Sequence, residues 1–285
     1  MILFTDTDTD FTPSLANEYG FKLIHMPYTI KDKTYFTYKD EFNENDYYNL
    51  LRSGVIPTTS ALNSEEYKEI FEPYLKEGED ILYVHFSRAM TISFDNMDVA
   101  IKELKEIYPE RTIYTIDTKA ITILSYAIVK EIGKLWKSGK TLEEILVWAN
   151  EEVDKFSVYF FADNLSFFKK SGRVSGIAAT MGNILGIRPI IHIGSDGRMK
   201  NIGKEKGKQK VINRLLDYVS ELGESISDYT IVVGHTNFLE EAHKFGAKLI
   251  ERFGPLDIDY VSVNPVCGAH CGPDAIGVAF HSKHR

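Results

Sequence analysis

Short apolar runs alternate with stretches of helical spacing through the first half of the chain. Met1–Thr5, Asp80–Phe86 (DILYVHF) and Thr112–Asp117 (TIYTID) have the length and the β-branched or aromatic character of buried strands. Asn63 with Glu66 three residues on forms an N-cap pair that opens a helix carrying Tyr67, Ile70 and Phe71. Thr141 with Glu144 does the same for a helix whose Leu142, Ile145, Leu146 and Ala149 share one face. Strand–helix–strand order predicts a largely parallel sheet with right-handed crossovers.

The pattern changes near Glu151–Lys155. A strand over Phe156–Phe161 leads to a short helix, a Gly/Ser loop (KKSGRVSG) and a further helix. Strands around Ile187–Ile193 and Met199–Ile202 then flank the turn SDG at Ser195–Gly197, which predicts a hairpin and a mixed or antiparallel sheet. Tyr229–His235 with a helix from Asn237, and Ile258–Val263 with a closing loop, complete the chain. The expectation is an α/β protein of two domains: a parallel-sheet, Rossmann-like domain over 1–153 and an α/β domain with a mixed sheet over 154–285.

The 285 residues are enough for two packed domains. With 44% hydrophobic and 26% charged residues the composition is globular rather than disordered. A formal net charge of −8 argues against a general nucleic-acid partner. No apolar run reaches the roughly 20 residues that cross a bilayer, and MILFTDTDTD lacks a basic, apolar leader, so a soluble cytoplasmic protein is expected. Cys267 and Cys271, spaced CxxxC in a Gly-rich segment, imply no disulfide framework in a reducing compartment and fall short of a zinc ligand set.

Four polar clusters stand at predicted strand ends, where open α/β sheets place ligands. In Thr5–Asp10 (TDTDTD) the carboxylates suit either a turn with Asp caps on the next helix, or a divalent metal or acid/base pair. In PTTSALN, Thr58, Thr59 and Ser60 lead toward a helix start, where hydroxyls cap the helix or cradle an anion. In HFSRAMTISFDN, Ser87, Thr91 and Ser93 offer the same choice, and GxSxG is absent. In VNPVCGAHCGPDAIG, His270 lies among Gly268, Gly272 and Gly277, which allow close backbone approach to a ligand. Finally, KNIGKEKGKQK (200–210) is either a solvated lysine face or a docking patch for an anionic partner.

Taken in order, these segments resemble the DegV family, over nearly the whole chain. TDTDTDFTP is similar to the family's opening TDSTADLP, PTTSALN stands at its TSQPS, and HFSRAMTISFDNM at its SSxLSGTYQSA. DNLSFFKKSGRVSG resembles the signature D-L-x-Y-L-K-K-G-G-R-I-S, GIRPIIHIGSDGRM the IKPIL…DG hairpin, and VCGAHCGPDAIGVAF the closing GxHxGPGAxGLAF. The resemblance implies a fatty-acid-binding subunit of a bacterial fatty acid kinase, with its ligand pocket at the domain junction. By the same resemblance Thr59, Thr91 and His270 contact or surround the ligand carboxylate, Arg173 supports that region, and Lys206 stands where relatives dock the kinase. Ser60 and Ser93 join the binding set and Lys204 the docking set; no cofactor, metal or catalytic residue is expected. The partners implied are a long-chain fatty acid and an ATP-dependent kinase, with room for transient membrane contact.

Several positions depart from that pattern. Ile92 replaces a glycine, Ala61 and Leu62 replace Gln-Pro, Thr91 a serine and Asp274 a glycine, the last placing a carboxylate near an anionic ligand. Two rival readings remain: a lipid carrier or sensor without a kinase, and a small hydrolase using Thr91 or Cys267 with His270.

Overall fold

The computed structural model of the chain describes residues 1–163, 165–176 and 186–285. Strands β1 (Ile2–Asp6), β2 (Phe21–Ile24), β3 (Pro27–Ile30), β4 (Lys33–Phe36), β5 (Thr58–Thr59), β6 (Ile81–His85) and β7 (Ile113–Asp117) fill the first part. Four of them form a parallel sheet in the order β2-β1-β6-β7. The central strand ILYVH is buried at every position, because both faces of such a sheet are covered. Ile81 and Tyr83 enter one apolar cluster with Phe71, Phe94 and Met97, while Leu82 and Val84 enter another on the opposite face. Both sequence-predicted capping boxes form, at Asn63/Glu66 for the helix Ser64–Lys76 and at Thr141/Glu144 for Leu142–Glu152.

A small antiparallel sheet, β4-β3-β5, was not legible in the pattern. Its β3–β4 hairpin turns at Lys31, whose φ is +55°, and β5 is only two residues long. Thr58 and Thr59 therefore lie on a strand, not at a helix start; Asn63 caps the helix instead.

The second sheet takes β8 (Phe156–Ala162), β9 (Val174–Ser175), β10 (Ile187–Ile193), β11 (Met199–Lys206), β12 (Ile231–His235), β13 (Ile258–Ser262) and β14 (Ala275–His281). Its order is β13-β12-β14-β8-β10-β11-β9, with β12–β13 and β11–β9 parallel and the remaining pairs antiparallel. The fold is thus α/β with one parallel and one mixed sheet. The β10–β11 hairpin forms, and β11 runs four residues beyond the Met199–Ile202 expected, so the first lysines of the basic run belong to a strand. Gly197, at φ +72°, makes the turn; a side chain there would overlap Ser87 Oγ, which donates to the Gly197 carbonyl at 2.9 Å. That contact docks the hairpin on the end of β6. The segment read as a closing loop holds the helix Pro265–Cys271. The helix expected after KKSGRVSG lies outside the described residues.

The helix Ile123–Lys137 lies between the sheets. Ile123, Leu124, Tyr126, Ala127, Ile128, Val129 and Ile132 are all buried, leaving it apolar nearly all round, as an enclosed helix must be. It packs against β8, β12 and β14 on one side and the helix Pro13–Tyr19 on the other, so Leu82 and Val84 share a cluster with Val158, Val232 and Ala279.

Candidate functional site

A cavity of about 320 Å³ lies where the two sheets approach, within the ~300–1,000 Å³ range of small-molecule pockets. Phe86 and Met90, after β6, meet Ile123 of the enclosed helix, Phe160 of β8 and Met199 of β11. Gly234 and Gly277 also line it; a side chain at either would collide with Ile123 or Phe160.

One part of the wall is polar. Thr59, on β5, places Oγ1 at 3.0 Å from His270 Nε2, the donor being set by the imidazole tautomer. The helix carrying His270 is fixed from its own start. Asn264 caps it by accepting from Cys267 N at 3.0 Å, and Pro265 occupies the first turn. Tyr47 and Tyr48 donate to the carbonyls of Pro265 (2.6 Å) and Val263 (2.9 Å), and Gly268 leaves room for the Tyr48 ring. Gly268 and Gly272 thus admit aromatic side chains, Tyr48 and Phe167, in place of the ligand approach expected of them. Burial pushes the His270 imidazole down to about 4, with the positive charge of Arg173 adding, so it is uncharged at neutral pH.

Thr91 also lines the cavity, and its Oγ1 accepts from Ser93 N at 3.1 Å, opening the helix Ser93–Ile107. The start of that helix therefore borders the cavity through Thr91 and Ile92, with the positive end of its dipole nearby. Ile92 lines it as well; its φ of −82° is open to any residue, so no glycine is required there, and the residue is 63% exposed. Arg173 follows Gly172, whose left-handed conformation ends the helix Ser166–Ser171. Its Nη1 donates to the Ser171 carbonyl at 2.7 Å, and among the described residues it has no acidic partner. Uncharged donors and one unneutralised cation beside an apolar cavity suit an amphiphile with a single anionic end.

Thr59, Ser60, Thr91, Arg173 and His270 are thus brought to one cavity, whereas Ser93 is not. Its Oγ is engaged by Leu62 N (3.2 Å) and the Tyr67 hydroxyl (2.9 Å), holding the two helices together. Asp274 is drawn away from the cavity by Arg52, whose Nη2 lies 2.6 Å from its carboxylate. Cys267 is buried, its Sγ facing the Asp8 carbonyl at 3.9 Å; burial raises the thiol well above its ordinary range. Among the described residues no hydrogen bond joins it to His270, so the pair forms no nucleophile and base. Lys204 and Lys206 are exposed on alternate positions of β11, outside the cavity.

The opening acidic run is a buried turn. Asp6 accepts from Phe86 N (3.1 Å), the Tyr83 hydroxyl (3.0 Å) and Asp8 N (3.0 Å), and Asp10 accepts from Asn264 N (2.9 Å) and Nδ2 (2.7 Å). Asp6 caps the short 3-10 turn Thr7–Thr9, while the next helix is capped by Thr12, not by an aspartate. Burial pushes both carboxyls up to about 7 against these donors. Among the described residues no group of His, Cys, Asp and Glu is arranged to hold a metal ion. Asp8 also lines the cavity; in the sequence the TDTDTD carboxylates are candidates together, because the run gives no sign of which one faces inward.

These elements define an α/β protein with two main sheets, a small third one and a largely apolar interior cavity. The chain belongs to the DegV family, whose model, described as an uncharacterised protein family, matches residues 1–283. A DegV domain-containing protein from Clostridium perfringens is 31% identical over 282 residues, spanning 98% of this chain and 96% of the relative. A stearic acid-binding protein from Eubacterium ventriosum superposes with a TM-score of 0.89 at 19% identity, covering 99% of each chain. A DegV family protein from Ruminococcus gnavus, solved with vaccenic acid, does so with a TM-score of 0.86 at 22% identity, covering 98% of each.

Proposed function

We propose that this chain binds one long-chain fatty acid, its carboxylate at Thr59, Thr91 and His270 with Ser60 and Arg173 beside them, and its tail in the apolar cavity. The observation that carries the reading is the uncharged Thr59–His270 pair opening onto that cavity. The ligands of the two structural relatives have the same shape, one carboxylate on a long apolar chain. Each methylene removed from water contributes about 0.8 kcal/mol, so tail burial dominates affinity and the polar end sets orientation. A neutral imidazole and a hydroxyl can hydrogen-bond a carboxylate without a buried ion pair. In this reading the ligand lies at the junction of an N-terminal domain, 1–153, and a C-terminal domain, 154–285.

A bound fatty acid is a poor substrate unless its head group stays accessible. Arg173 is exposed beside the cavity, and Lys204 and Lys206 present positive charge on β11. The chain therefore presents the carboxylate to a separate ATP-dependent kinase that forms an acyl phosphate, and is itself non-catalytic. Native and denaturing mass spectrometry of the purified protein tests the first half: a one-to-one adduct released as a C14–C18 fatty acid is expected. A chain that is empty and takes up no added stearic acid overturns it. Mixing with candidate kinases and ATP tests the second half, where no acyl phosphate with any of them would leave a carrier or sensor.

A further inference from the structure

Asp8 is one of several polar residues on the cavity wall, with Thr122, His235 and Thr236, that head-group binding does not use. Asp8 is 3% exposed and lines the cavity, yet its Oδ1 has no hydrogen-bond partner among the described residues. Asp6 is occupied by Tyr83, Phe86 and its own turn; Asp10 takes Asn264 on Oδ1 and leaves Oδ2 unmatched, but it does not line the cavity. A buried carboxyl oxygen left unmatched beside a largely apolar cavity is costly, and such a group calls for a partner. Its position is close to the head group without coinciding with it. The Asp8 carbonyl faces Cys267 Sγ, and Cys267 precedes His270 by three residues on one helix, about one turn of roughly 5.4 Å.

We propose that Asp8 hydrogen-bonds an oxygen carried on the acyl chain, so that the cavity selects hydroxy- or oxo-fatty acids over unsubstituted ones. The proposal rests on the fatty-acid reading above and narrows its substrate class. Burial, with the like charges of Asp6 and Asp10 adding, raises the Asp8 carboxyl well above its ordinary range. The shift favours its protonated form, which is both an O–H donor and an acceptor and matches a hydroxyl or a ketone. A plain acyl chain passing Asp8 would leave the group unmatched, which is how a built hydrogen-bonding site discriminates against the analogue lacking the partner.

The test is direct binding of stearic acid and a panel of monohydroxystearic acids, differing in hydroxyl position, to the delipidated full chain. At least one isomer should bind about tenfold tighter than stearic acid. Asp8→Leu should bring that ratio to about one, and Asp8→Asn, which keeps a donor and an acceptor, should retain most of it. A wild-type ratio near one for every isomer overturns the proposal, since a water molecule then serves Asp8. A ratio left unchanged by Asp8→Leu, with both ligands weakened, also overturns it by assigning Asp8 to the ligand carboxylate. If stearic acid and all isomers fail to bind, it is the fatty-acid reading itself that falls.

Discussion

Thr59 and His270 face each other across 3.0 Å on one part of the cavity wall, whereas Asp6, Asp8 and Asp10 crowd into one buried turn on another. The first pair reaches neutrality by chemistry: a hydroxyl, and an imidazole that burial keeps unprotonated. The acidic turn reaches it by taking up protons, since three carboxyls so close together and so enclosed cannot all ionise. Within the turn, donors are distributed unequally. Asp6 receives three; Asp10 receives two from one asparagine, both on Oδ1, with Oδ2 unmatched; Asp8, which lines the cavity, receives none on Oδ1. Burial by itself therefore says little about function; what separates a structural carboxyl from a candidate binding group is how many donors the fold supplies.

The sharpest test of that distinction is Asp6→Ala. It strands the Tyr83 hydroxyl and the Phe86 and Asp8 amides in the core, and should cost on the order of 3 kcal/mol or more in a denaturant titration. Asp8→Leu removes a group with no such obligations and should leave stability unchanged or raise it by about 1 kcal/mol. Equal losses for the two variants would break the comparison.

At the other region, Thr91→Val should weaken fatty-acid binding by about 1–3 kcal/mol by leaving the ligand carboxylate a donor short. The same change removes the acceptor of Ser93 N, so its effect on unfolding must be measured beside the Kd. Unchanged affinity would remove Thr91 from the carboxylate site.

The two regions were unequally legible in the sequence. Strand alternation and the Asn63/Glu66 and Thr141/Glu144 signals are local, and the elements they predict are present. Thr59 and His270 meet only because β5 and a late helix converge from 211 residues apart, a separation that spacing rules cannot bridge. Family resemblance supplied that pairing. The acidic turn illustrates the opposite limit: TDTDTD reads as a capping turn or a metal or acid/base cluster, and its complete burial, with donors from Tyr83, Phe86 and Asn264, is not visible locally. The engagement of Asp274 and Ser93 was hidden for a related reason. Their partners, Arg52 and Tyr67, lie on other elements.

The pH profile separates the regions again, with opposite signs. Carboxyls raised in the folded state stabilise fully below their unfolded value near 3.8, and that contribution is lost as pH rises toward about 7. His270, lowered to about 4, contributes above its unfolded value near 6.5 and loses that contribution as pH falls toward 4. Thermal unfolding between pH 4 and 8 should therefore show less decline toward neutrality in Asp10→Asn, and less decline toward acid in His270→Phe. Profiles parallel to wild type in both variants would mean that neither region titrates as its burial requires.

The smallest effect on lipid binding is expected from Lys206→Glu, and its smallness is the point. Lys206 is exposed on β11 and outside the cavity, so a charge reversal there is screened by solvent and salt before it reaches a buried ligand. Fatty-acid affinity should remain within about twofold of wild type, well under the 1.4 kcal/mol of a tenfold change. Encounter with the kinase proposed above would differ, because steering acts through exposed charge and weakens with ionic strength. The variant should slow acyl-phosphate formation at low salt, and the deficit should shrink as salt is added. Loss of lipid binding in Lys206→Glu would instead mean that β11 transmits strain to the cavity through Met199, which lines the wall at the start of the same strand.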